Sequence, residues 1–153
     1  MTDLVPAGGI FSWAFKLQDG GRDVAVVKPA WFSERAEATA DGAPLRFERE
    51  GWRGRFVARG PTGEIASATK RSAWTRDFDV HVGKRVFELR PAGAFSRAFR
   101  LLDERGADAG GVRPRGWFGI RSEVTAPPEL PPAARAFIAW LAMLMWRRQA
   151  ASS

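Results

Sequence analysis

Cysteine and tyrosine are absent from this 153-residue chain, and histidine occurs once. Without cysteine there is no disulfide framework, no thiolate metal site and no cysteine nucleophile. One histidine and no tyrosine leave a thin acid–base inventory. No Gly-x-Ser-x-Gly elbow, Gly-x-Gly-x-x-Gly turn, P-loop or His-Glu-x-x-His pair is present. The expectation is therefore a protein that is not an enzyme and needs no cofactor. The opening Met1-Thr-Asp-Leu-Val-Pro lacks a basic stretch followed by an apolar one, and position 2 is threonine where myristoylation needs glycine. A cytoplasmic location is expected, peripheral to a membrane if the protein meets one.

Long apolar runs are also missing, with one exception. Ala136 to Trp146 is apolar throughout, inside a segment that reads as a helix over 131–148 and starts at Pro131-Pro132. Phe137, Trp140, Leu141 and Leu144 form one stripe, and Ile138, Met143 and Met145 cover the other sides. A helix apolar on every face must be enclosed by protein or by lipid. Eleven residues span roughly 17 Å, about half of a bilayer core. Length thus argues against a tail anchor, although Arg147-Arg148 would suit a membrane flank.

The rest of the chain is repetitive. Phe15 through Trp31, Phe56 through Trp74 and Phe99 through Trp117 each read as strand, Gly-containing turn, strand, basic residue and Trp, with the tryptophans 43 residues apart. The repeats cover about 15–55, 56–98 and 99–130 of a single domain spanning 1–153. The predicted strands are 10–17, 22–28, 31–39, 44–49, 52–59, 64–70, 74–82, 85–90, 95–102, 107–113 and 117–125. Fewer than three full four-strand units are too few for a propeller ring. A closed barrel of about twelve mostly antiparallel strands is instead too wide for its own side chains to fill, and the apolar helix can plug it. Ala25, Ala66, Ala68, Ala109, Gly110 and Gly111 would make room for the helix backbone. Trp31, Trp74 and Trp117, at equivalent repeat positions, are expected in the structural core with Phe137, Trp140, Leu141 and Leu144.

The recurrent Phe-x-Leu and Gly turns (Phe15, Leu17, Gly20; Phe99, Leu101, Gly106) followed by Leu130-Pro-Pro and the Phe137–Trp146 helix resemble the tubby-like superfamily. That group includes the tubby C-terminal domains, the LURP-one-related proteins and the phospholipid scramblases. The resemblance implies a barrel threaded by its C-terminal helix. It also implies lipid binding: tubby domains hold phosphoinositides on basic residues outside the barrel, and scramblases are associated with lipids and calcium. The chain departs from the scramblases in lacking their Cys-rich stretch, Pro-rich N-terminus and an Asp-x-Asp-x-Asp-Gly loop. No family site maps residue by residue.

Lys and Arg number 24 against 17 Asp and Glu, a formal charge of +7. That excess favours anionic partners or is simply compositional. The densest basic cluster includes Arg46, Arg49, Arg53, Arg55 and Arg59, with Lys70-Arg71 in the next strand. Arg53, Arg55 and Arg59 share a strand face. With Lys70 and Arg71 they are the candidate site for phosphate or a lipid headgroup; the alternative is a solvated face balanced by Glu48, Glu50 and Glu64. Asp77, Asp79 and His81 share another face and are a second candidate, for a metal. Alternate strand residues ~7 Å apart cannot share one ion without a bend, so the plainer reading is the polar side of a strand. The functional expectation is a monomeric, non-enzymatic barrel engaging anionic phospholipid headgroups or another phosphate-bearing ligand. The alternatives are a structural or protein-interaction barrel, a tail-anchored protein, or a nucleic-acid binder.

Overall fold

Alternation of apolar and polar residues gives each strand two unlike faces, and closing the sheet turns one of them inward. The computed structural model describes residues 2–8, 13–51, 54–72, 75–116 and 120–152. Among these, twelve strands precede one helix: β1 (Thr2–Pro6), β2 (Phe15–Asp19), β3 (Arg22–Pro29), β4 (Arg35–Ala40), β5 (Ala43–Glu50), β6 (Arg55–Gly60), β7 (Gly63–Lys70), β8 (Phe78–Val82), β9 (Arg85–Pro91), β10 (Phe99–Leu102), β11 (Asp108–Pro114), β12 (Ser122–Thr125) and α1 (Pro132–Ser152). Every strand pairs antiparallel with its sequence neighbours. β1 closes the ring by pairing with both β2 (Leu4 opposite Leu17) and β12 (Thr2 opposite Val124). β1 is the strand absent from the sequence expectation. The connections alternate in length. Four of the five turns at one mouth have two residues, whereas those at the other mouth have four to eight.

The helix threads this ring. From Ala136 to Trp146 no residue exceeds 3% exposure. Burial on every side over three turns requires a wall all round. The helix lies nearest β3, β4, β6 and β7. Those strands turn small residues inward, among them Ala25, Ala36, Ala38, Ala58, Ala66 and Ala68. Larger residues line much of the rest, including Phe15, Phe78, Phe87, Leu89, Phe99 and Leu101. The helix is thus off-centre, against an alanine-lined wall. Trp140 packs with ring centroids 5.5 Å from Phe47, 5.8 Å from Phe56 and 6.0 Å from Phe137. Its indole N–H has no hydrogen-bond partner among the described residues. That costs about 1–3 kcal/mol, which the packing of so large a ring offsets.

Both ends of the helix are pinned. At the short-turn mouth Arg135 donates to the Leu130 carbonyl (3.0 Å) and the Thr2 hydroxyl (3.2 Å) and pairs with Asp19 (3.4 Å). At the other mouth the Trp146 indole donates to the Arg97 carbonyl (2.8 Å), Arg147 donates to the carbonyls of Ala30 and Trp31, and Arg148 grips the Glu34 carboxylate. Among the described residues no helix is long and apolar enough to cross a membrane. The enclosed position also removes the tail-anchor alternative.

Two expectations need correction. Gly110 and Gly111 do not make room for the helix. Their φ values are 134° and 156°, and a Cβ would meet the Thr125 and Phe99 carbonyl oxygens at 2.1 Å. They are needed for close backbone approach between β10, β11 and β12. Trp31 is not core: it is 69% exposed. It stands in the β3–β4 connection, because the strand resumes only at Arg35. Strand starts were expected at aromatic residues such as Trp31 and Phe95, yet β4 begins four residues after the first and β10 four after the second. Trp74 and Trp117 lie outside the described residues.

The alanine wall yields a prediction. Ala68→Leu should lower stability by about 1–3 kcal/mol in urea unfolding. Thr69→Leu, one residue along and facing outward, should stay within about 0.5 kcal/mol.

Candidate functional site

With the interior filled, chemistry is left to the outer wall and the mouths. On β6, Arg55, Val57 and Arg59 point outward. Arg55 pairs with Glu50 and Glu64 at 3.1 Å each, and Arg59 pairs with Glu48 at 3.2 Å and with Glu50. Val57 lies between the two arginines on the same face and is 0% exposed. The ion-paired side chains and their alkyl stems form a canopy over it. Arg55 therefore serves a network with the glutamates weighed against it in the sequence.

Arg59 has a second neighbourhood. The register sets Lys28 opposite Glu37, Glu37 opposite Arg46, and Arg46 opposite Arg59, a row across β3, β4, β5 and β6. The row crosses an open groove of about 700 Å³ that Thr39 and Pro61 also line. Three cations therefore share one in-row carboxylate, and Arg46 and Arg59 are direct cross-strand partners, although Arg59 is also paired with Glu48 and Glu50. Like charges in that position destabilise a sheet, and an oxyanion between them would relieve the repulsion while accepting several N–H donors. Lys28 and Arg46 were not among the expected site residues. Each belongs to a different strand, and only the register brings them beside Arg59.

Lys70 lies elsewhere, near the long-loop mouth. Burial, together with the nearby Arg148 and Arg49, lowers its ammonium pKa, and Glu34 opposes the shift. Glu34 is the local counter-ion. Burial pushes its carboxyl up, but Arg148 and Arg49 outweigh that and hold it below the ordinary glutamate value. Arg71 binds Asp79 at 2.9 Å and Glu88 at 3.4 Å. The expected anion-site residues thus do not form one site: Arg55 and Arg59 are in the canopy, Lys70 is at the mouth, and Arg71, next to it in the β7–β8 connection, is turned to Asp79 and Glu88 on β8 and β9. Arg53 lies outside the described residues. Of the metal candidates, Asp77 precedes β8, Asp79 is paired with Arg71 and His81 is exposed. Among the described residues no three histidine or acidic side chains are grouped to hold a metal ion.

The architecture defines the chain as a closed twelve-stranded antiparallel barrel around a C-terminal helix. The X-ray structure of protein AT5G01750 from Arabidopsis thaliana is similar, with a TM-score of 0.60 over 97% of this chain and 91% of that one. At 18% sequence identity, the likeness is one of fold. No protein-family model and no curated protein matches the sequence.

Several carboxylates are held low. The Arg85 hydrogen bond, with backbone donors, brings Glu104 to about 2; Arg115 and Arg113 lower Glu123, and Gln18 and Lys16 lower Asp23. A carboxyl depressed on folding stabilises the fold above its unfolded value and loses that contribution as pH falls toward the folded one. Melting temperature should therefore be flat near neutrality and fall between about pH 4.5 and 2. Glu34→Gln should cost about 1–2 kcal/mol at pH 7 and make the acid slope shallower; an unchanged slope would exclude Glu34 as a contributor.

Proposed function

We propose that this chain is a non-enzymatic binding domain that engages a phosphate-bearing ligand, in the first place an anionic phospholipid headgroup, on its outer wall. The observation that carries the proposal is the Arg46–Arg59 opposition within the groove beside Lys28. The site asks for an anion with several acceptor oxygens, and a phosphate group supplies them. The groove is open enough for a headgroup to approach from the side. The tubby-like resemblance supports the same reading, since tubby domains use basic residues outside the barrel. On this reading the protein is a monomer that works at the cytoplasmic face of a membrane.

The test separates binding from folding. Inositol trisphosphate and inorganic pyrophosphate are titrated calorimetrically, and phosphoinositide-containing vesicles are sedimented in parallel. Wild type should bind at least one probe, more weakly as salt rises. Arg46→Ala should lose at least tenfold in affinity while its melting temperature stays constant or rises, because the substitution removes a like-charge contact. Vesicle binding without binding of either soluble probe would favour the lipid over a free phosphate ligand. Equal affinity in the variant, or no binding of any probe by wild type, would overturn the proposal.

A further inference from the structure

The large apolar side chains exposed among the described residues are Trp31 (69%), Phe32 (100%) and Phe95 (102%), and all three are at the long-loop mouth. Trp31 and Phe32 lie in the β3–β4 connection and Phe95 in the β9–β10 connection. In a ring of twelve these connections are six strands apart, so they face each other across the mouth. The helix ends between them, with Arg147 tied to the Ala30 and Trp31 carbonyls and Trp146 to Arg97. Trp31 lines a cavity with Trp13, Pro29 and the helix end, but no continuous apolar patch joins it and Phe32 to Phe95. The aromatic tips are separate points on opposite sides of one rim.

Charge divides the two mouths in the same sense. Counting described residues in the connections and the helix end, the long-loop mouth holds seven arginines, among them Arg76, Arg97, Arg147 and Arg148, against two acids, Glu34 and Asp77. The short-turn mouth holds Lys84, Arg105 and, at the helix start, Arg135 against four acids, Asp41, Asp103, Glu104 and Glu129. The barrel is thus polar along its axis, positive at the end that carries the aromatics. Some of these arginines have structural duties: Arg76 donates to the Ser96 and Ala94 carbonyls and so holds the loop that presents Phe95. A bound guanidinium keeps its charge, so the field at the rim persists.

We infer that the long-loop mouth docks on an anionic bilayer, with the barrel axis steep to the surface and Trp31, Phe32 and Phe95 entering the headgroup–acyl boundary. Separated apolar tips on a cationic rim suit a flat, fluid, negatively charged phase, where each tip finds its own apolar environment. A protein partner would have to offer matching pockets on both sides of the mouth. Tryptophan is at home at that depth because its ring is apolar and its N–H polar. This surface is distinct from the groove on β3–β6, and the inference does not depend on the Arg46–Arg59 reading.

Vesicle sedimentation with phosphatidylcholine alone and with phosphatidylcholine containing phosphatidylserine tests it; phosphoinositide is left out, and Arg46→Ala separates whatever the groove contributes by taking a phosphatidylserine headgroup. Wild type should partition at least tenfold better onto the anionic vesicles. Phe32→Ser/Phe95→Ser should lose at least tenfold of that partitioning, and Arg46→Ala less than twofold. Both phenylalanines are fully exposed, so the double variant should keep the wild-type melting temperature and the wild-type response to inositol trisphosphate. The inference is overturned if the double variant binds anionic vesicles as wild type does. It is also overturned if wild type binds neither vesicle, including the case in which a protein is captured by the same residues.

Discussion

Eleven successive helical residues, Ala136 to Trp146, offer water no polar face, and the chain removes them from water by surrounding them. A single sheet or a neighbouring helix would cover one side only. A closed ring of strands covers all sides and at the same time leaves no unpaired sheet edge. The alanines of β3, β4, β6 and β7 follow from this constraint, since a helix approaches a sheet closely only where the facing side chains are small. So do the polar locks at the ends. Arg135 fastens the helix to Asp19 and Thr2, and Trp146, Arg147 and Arg148 fasten it to the opposite rim. Ring and helix thus need each other, which makes them one cooperative unit.

An interior occupied this way leaves recognition to the outside. There the arginine excess of the composition is largely committed to structure. Arg55 and Arg59 hold a canopy over Val57, Arg71 bridges β8 and β9 through Asp79 and Glu88, and Arg85 ties Glu104 to Glu129. Exposed ion pairs of this kind contribute little each, but they consume charge that a simple count would assign to ligands. What remains is uneven: Lys28 and Arg46, on either side of Glu37 in the cross-strand row, and a rim where cations outnumber acids. These two regions, not the total of +7, carry the proposed anion recognition.

Much of the fold can be read from the chain because its signals are local. The 43-residue repeat marks the hairpins, the two-residue Asp41-Gly42 turn shows as the left-handed pair it is (φ 50° and 78°), and the unbroken apolar run marks the helix. β1 is not legible in the sequence, because Thr2-Asp-Leu-Val-Pro is short and its pairing with β12 spans nearly the whole chain. The place of Trp31 is hidden for another reason. β propensity and periodicity describe an aromatic residue equally well at a strand start or in the connection before it, and burial alone separates the two. The candidate site was the least legible part. Arg59 stood out as one of a row on β6, but its opposition to Arg46 depends on cross-strand register, which no single segment encodes.

The enclosure of the helix is the claim on which the rest depends, and native-state amide exchange tests it directly. Amides of Ala136–Trp146 should exchange only through global unfolding, with the same free energy and denaturant dependence as the slowest amides of β6 and β7. Helix amides that exchange through a smaller opening, nearly independent of denaturant while β6 and β7 stay protected, would show a helix able to leave the ring and would contradict the account.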